Sequence, residues 1–122
     1  MKNLGIQLSW MTVKDLKKSI SFYTEIAGFK LLEHSPEFGW AELKGPEGSR
    51  LGLCQETQEN PIQAGSNTIT CITVDNIHAA CDLFIKKGIT LIGEIMEVPG
   101  HVKIQTFKDS DGNTLQLVEK IQ

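Results

Sequence analysis

The second half of this 122-residue chain repeats the first at a nearly constant offset, and this repeat restricts the fold more than any other feature. Residues 6–13 are apolar and β-branched enough to form a strand. Asp15 is placed to cap a helix in which Leu16, Ile20, Phe22, Tyr23 and Ile26 recur at helical spacing. Gly28 ends it, because glycine takes positive φ without strain. Residues 29–33, 40–43 and 50–54 read as three further strands, the last two joined by the turn chemistry of Gly45-Pro46-Glu47-Gly48.

The same order follows again. Residues 68–74 form a strand, Asp75 caps, and Ile77, Ala80, Cys81, Phe84 and Ile85 give helical spacing up to Gly88. Residues 89–92, 102–107 and 114–118 supply three strands, with Asp109-Ser110-Asp111-Gly112-Asn113 as a turn. The offset is 61 residues from Val13 to Val74 and 60 from Gly28 to Gly88. It is 64 from Leu43 to Phe107 and from Leu51 to Leu115, which places an insertion around residues 98–101. The expected fold class is α+β: two tandem βαβββ modules in one domain over residues 1–122. Module one is 1–56, a polar linker is 57–67, and module two is 68–122.

Composition restricts function mainly by exclusion. The net charge of −3 argues against nucleic acid, which rewards a basic face. No apolar run approaches the roughly 20 residues that span a bilayer, so no membrane partner is expected. The N-terminus carries no signal-peptide pattern. Three cysteines, Cys54, Cys71 and Cys81, are odd in number and form no C-x-x-C pair. They suggest neither a disulfide framework nor a thiolate zinc site, and a reduced cytoplasmic setting is expected.

Three motifs then matter together. They are Val13-Lys14-Asp15-Leu16-x-x-Ser19-x-x-Phe22-Tyr23, Gly28-Phe29, and Phe107-x-Asp109-x-Asp111-Gly112-Asn113-x-Leu115-x-Leu117. With them the chain resembles the glyoxalase/bleomycin-resistance/dioxygenase superfamily, also called vicinal oxygen chelate, over nearly its whole length. The resemblance implies a cup-shaped mixed sheet with helices on the convex face, a small-molecule ligand on the concave face, and a homodimer. It specifies fold more than function, because the family includes isomerases, dioxygenases, thiol transferases and drug-sequestering proteins.

The resemblance also implies a test. Metal-using members place a ligand on the first and last strand of each module, typically His and Glu in both. Carried onto this chain, those positions are Leu8 and Gly52, then Ile69 and Gln116. None is a histidine or carboxylate, and only Gln116 has an oxygen to offer. The sequence therefore predicts no metal and no other cofactor.

Strand alternation sorts what else lines the cup. Ala41 and Leu43 belong to the helix-facing side, which leaves Trp40 and Glu42 toward the cup. Leu8, Trp10 and Thr12 share a face on the first strand, as do Ile69, Cys71 and Thr73 on its counterpart. Gly52 and Cys54 correspond to Gln116 and Val118, and Trp40 and Glu42 to Ile104 and Thr106. Two tryptophans with a few polar groups suit a flat organic ligand, since stacking supplies area and polar groups orient it. The leading expectation is a metal-free binding protein for a planar or hydrophobic compound. The alternative is a lyase, isomerase or dioxygenase-type enzyme using Glu42 or His101 as acid or base, with or without a divalent metal. A third possibility is a dimer whose cup is filled by its own side chains and serves assembly alone.

Overall fold

The computed structural model describes residues 1–66, 68–108, 110 and 112–122. Asn67 of the expected linker and Asp109 and Asp111 of the expected turn lie outside the described residues. The chain divides into two compact units. One is residues 8–68; the other is residues 69–122 together with residues 1–7.

The unit of residues 8–68 holds the first βαβββ set. Strand β1 (Asn3–Val13) runs into helix α1 (Leu16–Ser21), followed by β2 (Lys30–Ser35), β3 (Trp40–Lys44) and β4 (Arg50–Gln55). The order is β2-β3-β4-β1; β4 is parallel to β1 and the other pairs are antiparallel. The second unit repeats it with β5 (Ile69–Val74), α2 (Ile77–Lys86), β6 (Thr90–Val98), β7 (Val102–Lys108) and β8 (Thr114–Lys120). Its order is β5-β8-β7-β6, again with one parallel pair, β5 with β8. The α+β class and the duplicated element order are those the sequence predicts.

Each module has its own core under its helix. In module one, Val13, Leu16, Ala41, Leu43 and Leu53 are buried together, with Ile20, Tyr23 and Phe29 against them. In module two the equivalent cluster is Val74, Ile77, Ala80, Cys81, Phe107 and Leu117, with Phe84, Ile89 and Leu91 packed on it. Phe84 and Phe107 meet edge to face, a favoured aromatic geometry.

The first helix departs from the expected continuous α pattern. After Ser21 the chain widens into a π-helical segment, Phe22–Ile26, closed by the Ala27 N–H donating to the Phe22 carbonyl. Phe22 and Ile26 are exposed although the sequence places them on the buried stripe. The Phe22 N–H still bonds the Lys18 carbonyl four residues back, so its exposure precedes the π step and reflects a position off the Leu16–Ile20–Tyr23 face. The second helix corrects another expectation. Its N-cap is Asn76, whose side chain accepts from the Ala79 N–H, and not Asp75. Asp75 instead accepts from the Lys2 N–H at 2.8 Å, and this bond holds its carboxyl below the usual range. The constant offset points to the right residue, because Asn76 lies 61 after Asp15, the N-cap of α1.

The end of the last strand also ties down the helix start in both modules. Gln55 Oε1 accepts from the Leu16 N–H at 2.9 Å, and Glu119 Oε1 accepts from the Ile77 N–H at 2.8 Å. First-turn N–H groups have no intrahelical partner, so each contact satisfies an otherwise orphaned donor. The extra residues of module two are absorbed by β6, which is nine residues long against six in β2. Its pairing with β7 shifts register between Ile92 and Met96, around Gly93 at φ +68°.

Candidate functional site

Helix packing on one face of each module fixes which side chains occupy the other. In module one, Ala41, Leu43 and Leu53 are completely buried on the helix side. Alternation then turns Trp10, Thr12, Trp40, Glu42, Gly52 and Cys54 to the opposite face. The ladder sets them in two rows across β1, β4 and β3. One row is Thr12, Cys54 and Trp40, continued by Ser35 of β2. The next is Trp10, Gly52 and Glu42, continued by Glu33.

Module two has the matching rows Thr73, Val118 and Ile104, and Cys71, Gln116 and Thr106. Every member lies 61 or 64 residues beyond its module-one counterpart, so the repeat holds at the level of individual cross-strand pairs. Leu8 is half-buried, Ile69 is buried, and His101 is exposed in the turn between β6 and β7. The Ile121 N–H donates to the His101 carbonyl.

The two tryptophans form one wall and not the two sides of a sandwich. Their ring centroids are 6.4 Å apart at 68°, an edge-to-face contact. Trp10 is buried and Trp40 half-buried, so Trp40 presents the larger free surface. Its indole leans over Gly52: a Cβ added there would lie 2.1 Å from Trp40 Cη2, 2.6 Å from Cζ2 and 2.9 Å from Trp10 Cβ. Beside the wall, Arg50 Nε lies 3.6 Å from Glu42 Oε2, an ion pair whose side chains are 31% and 25% exposed. Arg50 Nη1 is buried without a hydrogen-bond partner. Burial pushes the Cys54 thiol up from its ordinary value, so it stays a protonated, poorly nucleophilic group at neutral pH.

Sequence reading missed Asn60. Residues 57–67 read as a plain polar linker, yet the described part of the segment is tied into a defined loop. Glu56 Oε2 accepts from the Ala64 N–H at 2.8 Å, and Asn60 Oδ1 accepts from the Ile62 N–H at 2.9 Å. The loop lays the Asn60 amide on the face just described, with Nδ2 3.4 Å from Thr12 Oγ1 and 3.9 Å from Cys54 Sγ. Nothing in linker composition marks this residue, since the contact spans 48 positions.

The positions that correspond to metal ligands do not fit a divalent ion. In module one Leu8 has no donor atom, and the volume a side chain at Gly52 needs is filled by Trp40. In module two Ile69 has none either, and Gln116 is committed within its own row. Its Oε1 accepts from the Cys71 thiol at 3.7 Å and its Nε2 donates to Thr106 Oγ1 at 3.2 Å. Among the described residues no three His, Cys, Asp or Glu side chains converge.

Comparison with known proteins agrees with this architecture. A lactoylglutathione lyase of Schizosaccharomyces pombe is 28% identical over 98% of this chain, which spans only 49% of that relative. A lactoylglutathione lyase of Salmonella typhimurium is 30% identical over 89% of this chain and 87% of its own length. Among solved structures, methylmalonyl-CoA epimerase from Mycobacterium tuberculosis superposes with a TM-score of 0.79 over 98% of this chain and 90% of its own, at 21% identity. That likeness establishes a shared fold. The model of the Glyoxalase/Bleomycin resistance protein/Dioxygenase superfamily matches residues 6–117, and with the duplicated βαβββ element order this chain belongs to that superfamily.

Proposed function

We propose that this protein binds a small planar or hydrophobic organic molecule on the module-one strand face, without a divalent metal. The observation that carries the reading is the Trp40 indole lying over Gly52. Where metal-using relatives need a ligand side chain, this chain offers an aromatic surface. Trp40 supplies stacking area, Trp10 stiffens it, and Thr12, Cys54, Asn60 and the Glu42–Arg50 pair supply polar edges around it. The corresponding module-two residues, Cys71, Thr73, Ile104, Thr106 and Gln116, carry no aromatic ring, so the stacking surface is assigned to module one. The proposal includes a reducing, cytoplasmic setting, which the three free cysteines favour, and a homodimer of single two-module domains.

A thermal-shift screen with planar aromatic compounds, run in chelator, tests this directly. A ligand at a hundredfold excess over Kd stabilises the native state by about 2.7 kcal/mol, on the order of 10 °C for a domain of this size. Trp40→Ala should remove most of the shift. The reading fails if no planar compound stabilises the protein, or if Trp40→Ala leaves the shift intact.

The relatives named lactoylglutathione lyase support a second reading, a lyase or isomerase in which Glu42 moves a proton. Glu42 shares its face with Trp10 and Trp40 and has Arg50 beside it to hold its position. His101, in an exposed turn, is a weaker candidate for the same work. Turnover of lactoylglutathione or methylmalonyl-CoA that persists in chelator and falls at least roughly 100-fold in Glu42→Gln would establish it. Turnover unchanged by Glu42→Gln would exclude Glu42 as the acid or base.

A further inference from the structure

We infer that Asn60 selects the ligand of the module-one face, favouring planar compounds that carry a carbonyl oxygen over flat hydrocarbons of the same shape. The inference rests on the planar-ligand reading above and adds to it a recognised functional group.

The direction of the Asn60 amide is set by the loop that carries it. Oδ1 is taken by the Ile62 N–H at 2.9 Å, a full-strength bond, so the opposite end of the amide, Nδ2, is turned to the strand face. Toward a ligand, Asn60 is therefore a donor and not an acceptor. Its two contacts there are long: 3.4 Å to Thr12 Oγ1 and 3.9 Å to Cys54 Sγ, the second to a weak sulfur acceptor. A carbonyl oxygen at ordinary hydrogen-bond distance would be a better partner than either.

Its position fits this use. Thr12, Cys54 and Trp40 form one row, on neighbouring strands roughly 4.8 Å apart. A ring stacked on the Trp40 indole thus has the Asn60–Thr12 corner one to two strand spacings from its edge, within reach of an exocyclic oxygen. Thr12 is 4% exposed and supplies a hydroxyl that can either accept from Nδ2 or turn to the ligand. Cys54 stays protonated through burial and adds a soft, uncharged floor. A flat hydrocarbon would cover this corner and bury the Asn60 N–H groups against carbon, a penalty that a carbonyl compound avoids.

Equilibrium dialysis with 9-fluorenone and fluorene, tricycles that differ by one carbonyl, reads the preference. The wild-type protein should hold fluorenone at least roughly tenfold more tightly than fluorene. Asn60→Asp keeps an oxygen for the Ile62 N–H, so the loop stays closed, but presents a carboxylate oxygen where the donor was. It should abolish the preference, bringing the affinities for the two compounds to within about threefold of each other. Asn60→Ser, which shortens the side chain without adding charge, should do the same. Equal binding of the two compounds to the wild type overturns the inference and leaves the planar-ligand reading standing. A preference that survives both substitutions also overturns it. Retention of neither compound removes the planar-ligand reading, and this inference with it.

Discussion

Gly52→Glu, the change that restores a carboxylate at the first module's last-strand position, is expected to cost about 3 kcal/mol of stability or more. The new Cβ falls within 3 Å of both tryptophans, and overpacking of that kind costs about 1–3 kcal/mol. The remainder of the side chain brings an ionised group to a buried backbone position, which adds a desolvation penalty. Urea titration measures the total. A double-mutant cycle identifies its source, because Trp40→Ala opens the volume that the new side chain needs. Trp40→Ala/Gly52→Glu should therefore lose at least about 1 kcal/mol less than the sum of the single losses. Additive losses would mean that the indole is not what closes position 52. Added nickel or zinc should not raise the melting temperature of Gly52→Glu, because Leu8, Ile69 and Gln116 still offer no second charged ligand. A saturable metal-dependent rise would refute the packing account of the lost ligand position.

Gln105→Leu should destabilise module two by about 2–3 kcal/mol. Gln105 is 2% exposed, and its Nε2 lies 3.1 Å from the carbonyls of Ile92 and Gly93 and 3.0 Å from that of Thr106. Two of those carbonyls flank the site where the β6–β7 pairing loses register, so the side-chain amide replaces ladder bonds that the bulge removes. Leucine keeps the bulk and deletes the donors, orphaning buried acceptors at about 1–3 kcal/mol. Hydrogen exchange should accelerate first in the β6–β7 hairpin, while the α1 core of module one keeps its protection. Uniform acceleration across both modules would show that Gln105 does not act locally at the bulge.

Gln105 also illustrates a limit of reading the sequence. The chain alternates around it as an ordinary strand, with Ile104 and Thr106 on one face and Phe107 on the other. Nothing local says that an amide belongs on the core side. The reason lies 12 and 13 residues away, in the carbonyls of a bulge in the neighbouring strand. The helix in module one shows the same limit at shorter range. Leu16, Ile20, Phe22, Tyr23 and Ile26 read as one helical stripe, but only Leu16, Ile20 and Tyr23 pack on the core, while Phe22 and Ile26 are exposed and the chain takes a π step after Ser21. Periodicity reports which residues are apolar and not which hydrogen-bond step the backbone takes.

Legibility was highest where the repeat could check itself. That Trp10, Glu42 and Gly52 share the face opposite the helix, with Cys71, Thr106 and Gln116 as their counterparts, follows from offsets of 61 and 64 applied to strands of period two. A one-residue slip would have exchanged both faces of a module, and the apolar Ala41 and Leu43 mark the helix-facing side in module one. The sequence alone therefore determined the two-module α+β architecture, which residues share each strand face, and the absence of histidine or carboxylate at Leu8, Gly52, Ile69 and Gln116.

What only the tertiary structure decided was how those faces are filled. The tilt of Trp40 over Gly52, the edge-to-face contact of the two tryptophans and the arrival of Asn60 beside Thr12 depend on side-chain packing and on a loop closed by Glu56 and Asn60. The physical reason is range. Strand pleat and helix pitch are local and leave a periodic mark on the chain, whereas contacts between residues 12 to 48 positions apart are selected by three-dimensional fit and leave none.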